Sequence, residues 1–159
     1  HRAGNHVLRK GEVVLFDIGA KVDGYCADIT RVVALGEADP EVLRIYKLVL
    51  SANEVGIRAV RAGVSGKDVD SQARRLIEEA GYAENFGHGL GHGLGLEVHE
   101  GPRLSTASED VLVAGNVVTV EPGVYFPGKF GIRIEDVVAV GEDGARALSS
   151  FPKEELLVV

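Results

Sequence analysis

FDIGAKVDGYCADITR, residues 16–31, reads as a β-hairpin whose two arms each carry an aspartate among branched apolar neighbours. VVLF before it and VVAL after it lengthen the arms, which places strands over residues 13–20 and 26–35. With the turn set at Val22 and Asp23, Asp17 stands directly opposite Asp28. Like charges so opposed, roughly 5 Å apart, destabilise a sheet. Burying an unpaired carboxylate costs several kcal/mol unless it is protonated, hydrogen-bonded or coordinated. NVVTVEPGVYF, residues 116–126, and FGIRIEDVVAV, residues 130–140, form a second hairpin around Gly128 and repeat the conflict, with Glu121 level with Glu135. A divalent cation resolves both.

Between the hairpins lies GHGLGHGLGLEVHE, residues 87–100, in which every odd position from 87 to 95 is glycine. Each glycine costs about 1 kcal/mol in a helix relative to alanine, so this segment is loop or irregular strand. His88 and His92 therefore lack the helix that would align them as a zincin pair. Histidines on such a loop are ordinarily surface decoration. His92 stands out through its company: one imidazole and four carboxylates from separated strands make the inventory of a two-metal site. Ligation dominated by oxygen points to manganese or cobalt and away from thiolate-rich structural zinc. Arg133 shares a strand face with Glu135 at i, i+2. It could neutralise that carboxylate as an ion pair or orient it on a cation.

The hairpins are joined by helical sequence. Asp39-Pro40 supplies a cap and a first-turn proline, and Val42, Ile45, Val49, Ala52, Val55 and Ala59 recur at helical spacing, with Gly63 as the expected stop. Ser65 with Asp68 resembles a capping box for a second helix that buries Val69, Ala73, Leu76 and Ile77 and closes at Gly81. Strands, then helices, then strands in 159 residues with 45% hydrophobic content make an α+β chain with one core. A formal net charge of -7 argues against a nucleic-acid groove, which needs a basic stripe. No apolar run approaches the roughly 20 residues that span a membrane. The single cysteine, Cys26, forms no intrachain disulfide and fits a reducing, cytoplasmic setting. The chain opens at His1 and contains no methionine, which reads as a portion of a longer translation product.

Taken together, FDIGAKVDGYCADITR, GHGLGHGLGLEVHEGPR, VVTVEPGVYFPGKFGIRIED and the closing FPKEELLVV resemble, in order and spacing, the C-terminal catalytic part of one metallopeptidase family. That family includes Xaa-Pro dipeptidases (prolidases), Xaa-Pro aminopeptidases and methionine aminopeptidases. The resemblance covers nearly the whole chain. It implies the pita-bread (creatinase/aminopeptidase-like) fold, a curved antiparallel sheet covered by helices, with the N-terminal part of the domain missing from residues 1–159. It implies two divalent metal ions, manganese first and cobalt or zinc as alternatives. Asp17 would bind one ion, Asp28 and Glu135 would bridge, and His92 with Glu121 would bind the other. His88 and His99 match substrate-facing histidines, Arg133 an arginine of the network around the metals, and Thr30 a hydroxyl that supports the ligands.

GKFGIRIED resembles the proline-specific branch, and Arg103 of HEGPR resembles an arginine near the C-terminal carboxylate of a dipeptide. The implied reaction is hydrolysis of the bond preceding proline by a hydroxide shared between the two ions, with Glu121 handling the proton and His99 and His88 assisting. Proline-containing peptides are the implied partners, and the full-length enzyme a homodimer. The alternatives are a non-catalytic peptide-binding module on the same fold and a methionine aminopeptidase-like exopeptidase.

Overall fold

The computed structural model describes residues 4–159. The first hairpin pairs β1, Val13–Val22, with β2, Tyr25–Ala34. Its turn is Asp23-Gly24, one step later than the sequence reading placed it. Both residues have positive φ, +50° and +88°, as a two-residue type I′ turn requires. Asp17 therefore faces Thr30, and Asp28 faces Gly19. The aspartates remain on one sheet face as diagonal neighbours, which corrects the expectation that they oppose each other directly.

Two helices follow. α1, Pro40–Ala59, is capped by the Asp39 carboxylate, which accepts from the Glu41 amide. It ends four residues before Gly63, because the amides of Ala62 and Gly63 bond instead to the carbonyls of Gly141, just after the last residue of a later strand, and of Leu112 in a loop. α2, Gly66–Glu79, begins where the Ser65 hydroxyl accepts from the Asp68 amide and closes at Gly81 with φ +87°. Only the serine half of the capping box forms.

The glycine run contributes the short β3, Gly91–Gly93, which pairs with β4, Glu100–Leu104, through an irregular register. The second hairpin is two ladders in series. β5, Val117–Val120, pairs with β8, Asp136–Val140, and β6, Gly123–Phe126, pairs with β7, Phe130–Arg133. The register is continuous across both ladders, so Glu121 and Glu135 stand level at the break where Pro122 offers no N–H. β9, Ala145–Ala147, extends the five-stranded order β4-β3-β5-β8-β9. β10, Leu157–Val158, adds to β2 in parallel, a pairing the antiparallel expectation did not include.

The core lies between α1, α2 and the strands, with Ile45, Val49, Ala52, Val69, Ala73, Ile77, Val120 and Ile134 fully buried. Gly56 lets α1 approach closely, since a Cβ there would stand 2.8 Å from a Val120 methyl. Asn53, also fully buried, donates to the Val120 and Ile134 carbonyls at 2.9 and 3.3 Å. One helix side chain thus holds the residues immediately preceding both glutamates. No helix is long and apolar enough to cross a membrane among the described residues.

Candidate metal centre

Three ligand-type residues converge from three elements: Asp28 of β2, His92 of β3 and Glu135 at the β7–β8 break. One donor atom from each lies within 4.8 Å of the other two. Thr30 and Glu135 form an isolated antiparallel bridge, which draws the first hairpin onto the second. The Thr30 hydroxyl donates to Glu135 Oε2 at 2.6 Å, while Glu135 Oε1 is buried with no hydrogen-bond partner among the described residues. Burial, and then the charge of Glu121, push the Glu135 carboxyl up to about 8. Asp28 is also raised, by burial and by Asp17.

His92 is oriented by its own neighbours. Its amide donates to Thr119 Oγ1 at 3.0 Å, and Nδ1 lies 3.0 Å from the Gly93 carbonyl, a contact that places the proton on Nδ1. Nε2 is left facing Glu121 Oε1 at 3.2 Å and Asp28 Oδ2 at 3.9 Å. Burial alone would lower the His92 pKa; the Glu121 hydrogen bond and the surrounding carboxylates outweigh it and raise it. The glycines on either side serve close packing: a Cβ at Gly91 would overlap the Thr119 carbonyl at 2.0 Å, and one at Gly93 would overlap the Gly101 carbonyl at 2.1 Å.

Asp17 and Glu121 border this triad. Asp17, half-exposed, ion-pairs with Arg133 Nη2. Glu121 accepts from Thr119 Oγ1 at 3.1 Å and has Arg133 Nε 3.9 Å away. The buried Arg133 reaches Glu135 through Thr30, whose hydroxyl accepts from Nε at 3.1 Å, and not by an ion pair. Arg133 Nη1 also donates to the Tyr125 hydroxyl at 3.1 Å, and Tyr125 lies 2.9 Å from His88 Nε2. Sequence reasoning missed Tyr125, Thr119, Asp70 and Arg74. Alternation places Tyr125 on the Arg133 face, and Gly131 opposite it and Gly123 two residues before it leave room for its ring; that pattern was the available signal.

His88, Arg103, Asp17, His92, Glu121, Tyr125 and Arg133 line an open cleft of about 640 Å³. Burial lowers the His88 pKa, which favours the neutral ring. His99 is exposed, with its ring centroid 4.3 Å from that of His92. Of the ten residues singled out from sequence, Asp17, His88, His92, Arg103, Glu121 and Arg133 line this cleft, Asp28, Thr30 and Glu135 lie beside them, and His99 meets His92 ring to ring.

The donor set fits a hard divalent cation. Buried carboxylate oxygens held at elevated pKa, one of them lacking any partner, together with an imidazole nitrogen aimed at them, are groups whose conflict a positive ion removes.

The model of metallopeptidase family M24 matches residues 1–142. The uncharacterized peptidase YqhT of Bacillus subtilis (strain 168) is 43% identical over 156 residues, which span 98% of this chain and 44% of that one. Among solved structures, X-Pro aminopeptidase from Thermotoga maritima MSB8 superposes with a TM-score of 0.96 at 48% identity, covering 100% of this chain and 44% of that one. Xaa-Pro dipeptidase from Bacillus anthracis gives 0.95 at 44% identity, covering 98% and 44%. The architecture is therefore that of the pita-bread enzymes, and the chain spans about 44% of the length of these relatives.

Proposed function

The chain belongs to metallopeptidase family M24, and from that premise we propose that it forms part of the catalytic region of a metal-dependent exopeptidase cleaving the bond that precedes proline. The observation that carries this reading is the buried, partnerless Glu135 Oε1 beside Asp28 and His92. The names of the similar Thermotoga maritima and Bacillus anthracis proteins support the proline preference.

In this reading Asp17, Asp28, His92, Glu121 and Glu135 would together hold two divalent ions, with manganese the first candidate. When bound, such ions lower the pKa of water toward neutrality and polarise a carbonyl oxygen. Thr30 and Arg133 hold the carboxylates in register. Glu121 takes the proton as water adds to the carbonyl carbon, then passes it to the leaving imide nitrogen as the C–N bond breaks. His99, beside His92 at the rim, donates to the developing oxyanion. His88 lines the substrate wall, and Arg103 in the same cleft is suited to the terminal carboxylate of a dipeptide.

The test is metal analysis followed by hydrolysis of a Xaa-Pro dipeptide and a longer Xaa-Pro peptide with Mn, Co or Zn. Glu121→Gln is expected to retain cation yet lose hydrolysis by orders of magnitude, whereas Asp28→Asn empties the centre. His99→Ala lowers kcat and leaves the cation bound; loss of the cation there would make His99 a ligand instead. A chain that binds no divalent cation overturns the reading.

A further inference from the structure

The glycine-rich segment that carries His88 has little intrinsic order, because glycine loses the most conformational freedom on folding. Its backbone is nevertheless gripped by an ion pair on α2. Asp70, fully buried, accepts from Arg74 Nε and Nη2 at 2.7 and 2.9 Å. The same guanidinium donates Nη1 to the Phe86 carbonyl at 3.0 Å and Nη2 to the His88 carbonyl at 2.7 Å, and it lies over the Phe86 ring at 4.1 Å. Asp70 Oδ1 also accepts from the Leu90 amide at 3.0 Å. Three consecutive alternate residues, 86, 88 and 90, are thus fixed by two side chains one helical turn apart. His92 has separate anchors, Thr119 and the Gly93 carbonyl.

Burial of a charged pair is no proof of stability, since both charges give up water. The geometry here has a different use: all of its spare hydrogen bonds end on the backbone around one cleft-lining histidine. We propose that Asp70 and Arg74 are positioning residues that set where the His88 imidazole stands against a peptide substrate, an inference that rests on the peptidase reading above. The ion pair acts through the His88 backbone, and the ring then meets Tyr125 across the cleft wall.

Arg74→Lys tests this, because an ammonium still neutralises Asp70 but cannot span both carbonyls. Three readouts are compared with the parent: the His88 imidazole 15N shifts, Co(II) affinity from its visible absorption, and kcat/KM on a Xaa-Pro dipeptide. The expected result is displaced His88 shifts, unchanged Co(II) affinity, and kcat/KM lower by roughly tenfold to a hundredfold. A purely structural role would lower the melting temperature and leave the His88 shifts of the folded protein unmoved, which overturns the proposal. So does a fall in Co(II) affinity alongside the shifts, because the pair would then serve the whole centre. If the lysine variant does not fold, Asp70→Asn with Arg74→Gln replaces the ions by a neutral amide pair and is read the same way. A parent chain that binds no Co(II) counts against the peptidase reading, while the imidazole shifts still decide the positioning role.

Discussion

Without a bound cation, burial and the nearby Glu121 charge push the Glu135 carboxyl up to about 8, so that it keeps a proton an exposed glutamate releases. Its folded pKa lies above its unfolded one, so the folded state binds the proton more tightly between the two values. Stability of the cation-free protein should therefore fall as pH rises from about 4.5 to about 8, by a few kcal/mol in all. Asp28 and His92, both raised, add to the same slope, and His88, lowered by burial, opposes it. A divalent cation competes with these protons and should flatten or reverse the slope. Glu135→Gln should flatten it without any cation and remove most of the stabilisation a cation brings. Thermal denaturation from about pH 5 to about pH 9, with chelator or with Mn(II), measures this; equal slopes with and without cation would sink the idea. Asp28 and Glu135 of the triad stood out in the sequence because carboxylates among valines and isoleucines are costly without a counter-charge, and His92 stood out through their company. Tyr125 and Arg74 did not, since a tyrosine on a strand and an arginine on a helix face are common without any task.

At the scale of elements, the site depends on holding a strand break still. Glu121 and Glu135 occupy the gap between two ladders, where proline has removed an amide, and α1 supplies the missing restraint through Asn53. The Asn53 amide serves the Val120 and Ile134 carbonyls, and its oxygen accepts from Lys153 Nζ at 2.6 Å, which also pairs with Asp136. Asn53→Ala strands two buried carbonyls, at about 1–3 kcal/mol for each group left unsatisfied. The expected outcome is a lower urea midpoint together with weaker cation binding; a loss of stability with cation affinity intact would confine Asn53 to the core. Gly56→Val should destabilise by about 1–3 kcal/mol through overpacking against Val120, read from the same unfolding curves. The hairpins were readable from period-two alternation and Asp-Gly and Pro-Gly turns. The first turn falls one step later than expected because Asp23-Gly24, and not the β-branched Val22, accepts positive φ, a signal present in the sequence that the Val22-Asp23 reading passed over. The end of α1 was set late because Gly63 is a good stop signal, and the tertiary partners of Ala62 and Gly63 are invisible in a local window. The parallel β10–β2 pair joins residues far apart in sequence, beyond any periodicity argument.

The whole molecule has two unlike faces on its first hairpin. Alternation sends Asp17, Asp28 and Thr30 toward the candidate metal centre, and it sends Phe16, Ile18, Ile29 and Val33 to the other side, where with Phe151 and Arg31 they line an apolar groove of about 220 Å³. Phe16 is 48% exposed, Ile18 61% and Phe151 57%. β1 is also an edge strand of ten residues, with one unpaired row of backbone groups. An apolar face beside a long open edge favours strand-to-strand association, which a lysine on the edge suppresses through charge and solvation. The 159-residue chain is therefore expected to self-associate as its concentration rises. Phe16→Lys with Ile18→Lys should hold it monomeric in sedimentation velocity. Both residues point away from the carboxylates, so cation affinity should match that of the parent in the same samples. A double variant that associates as readily as the parent would move the sticky surface elsewhere, and one that stays monomeric but loses cation would mean that the two faces of this thin sheet are mechanically coupled.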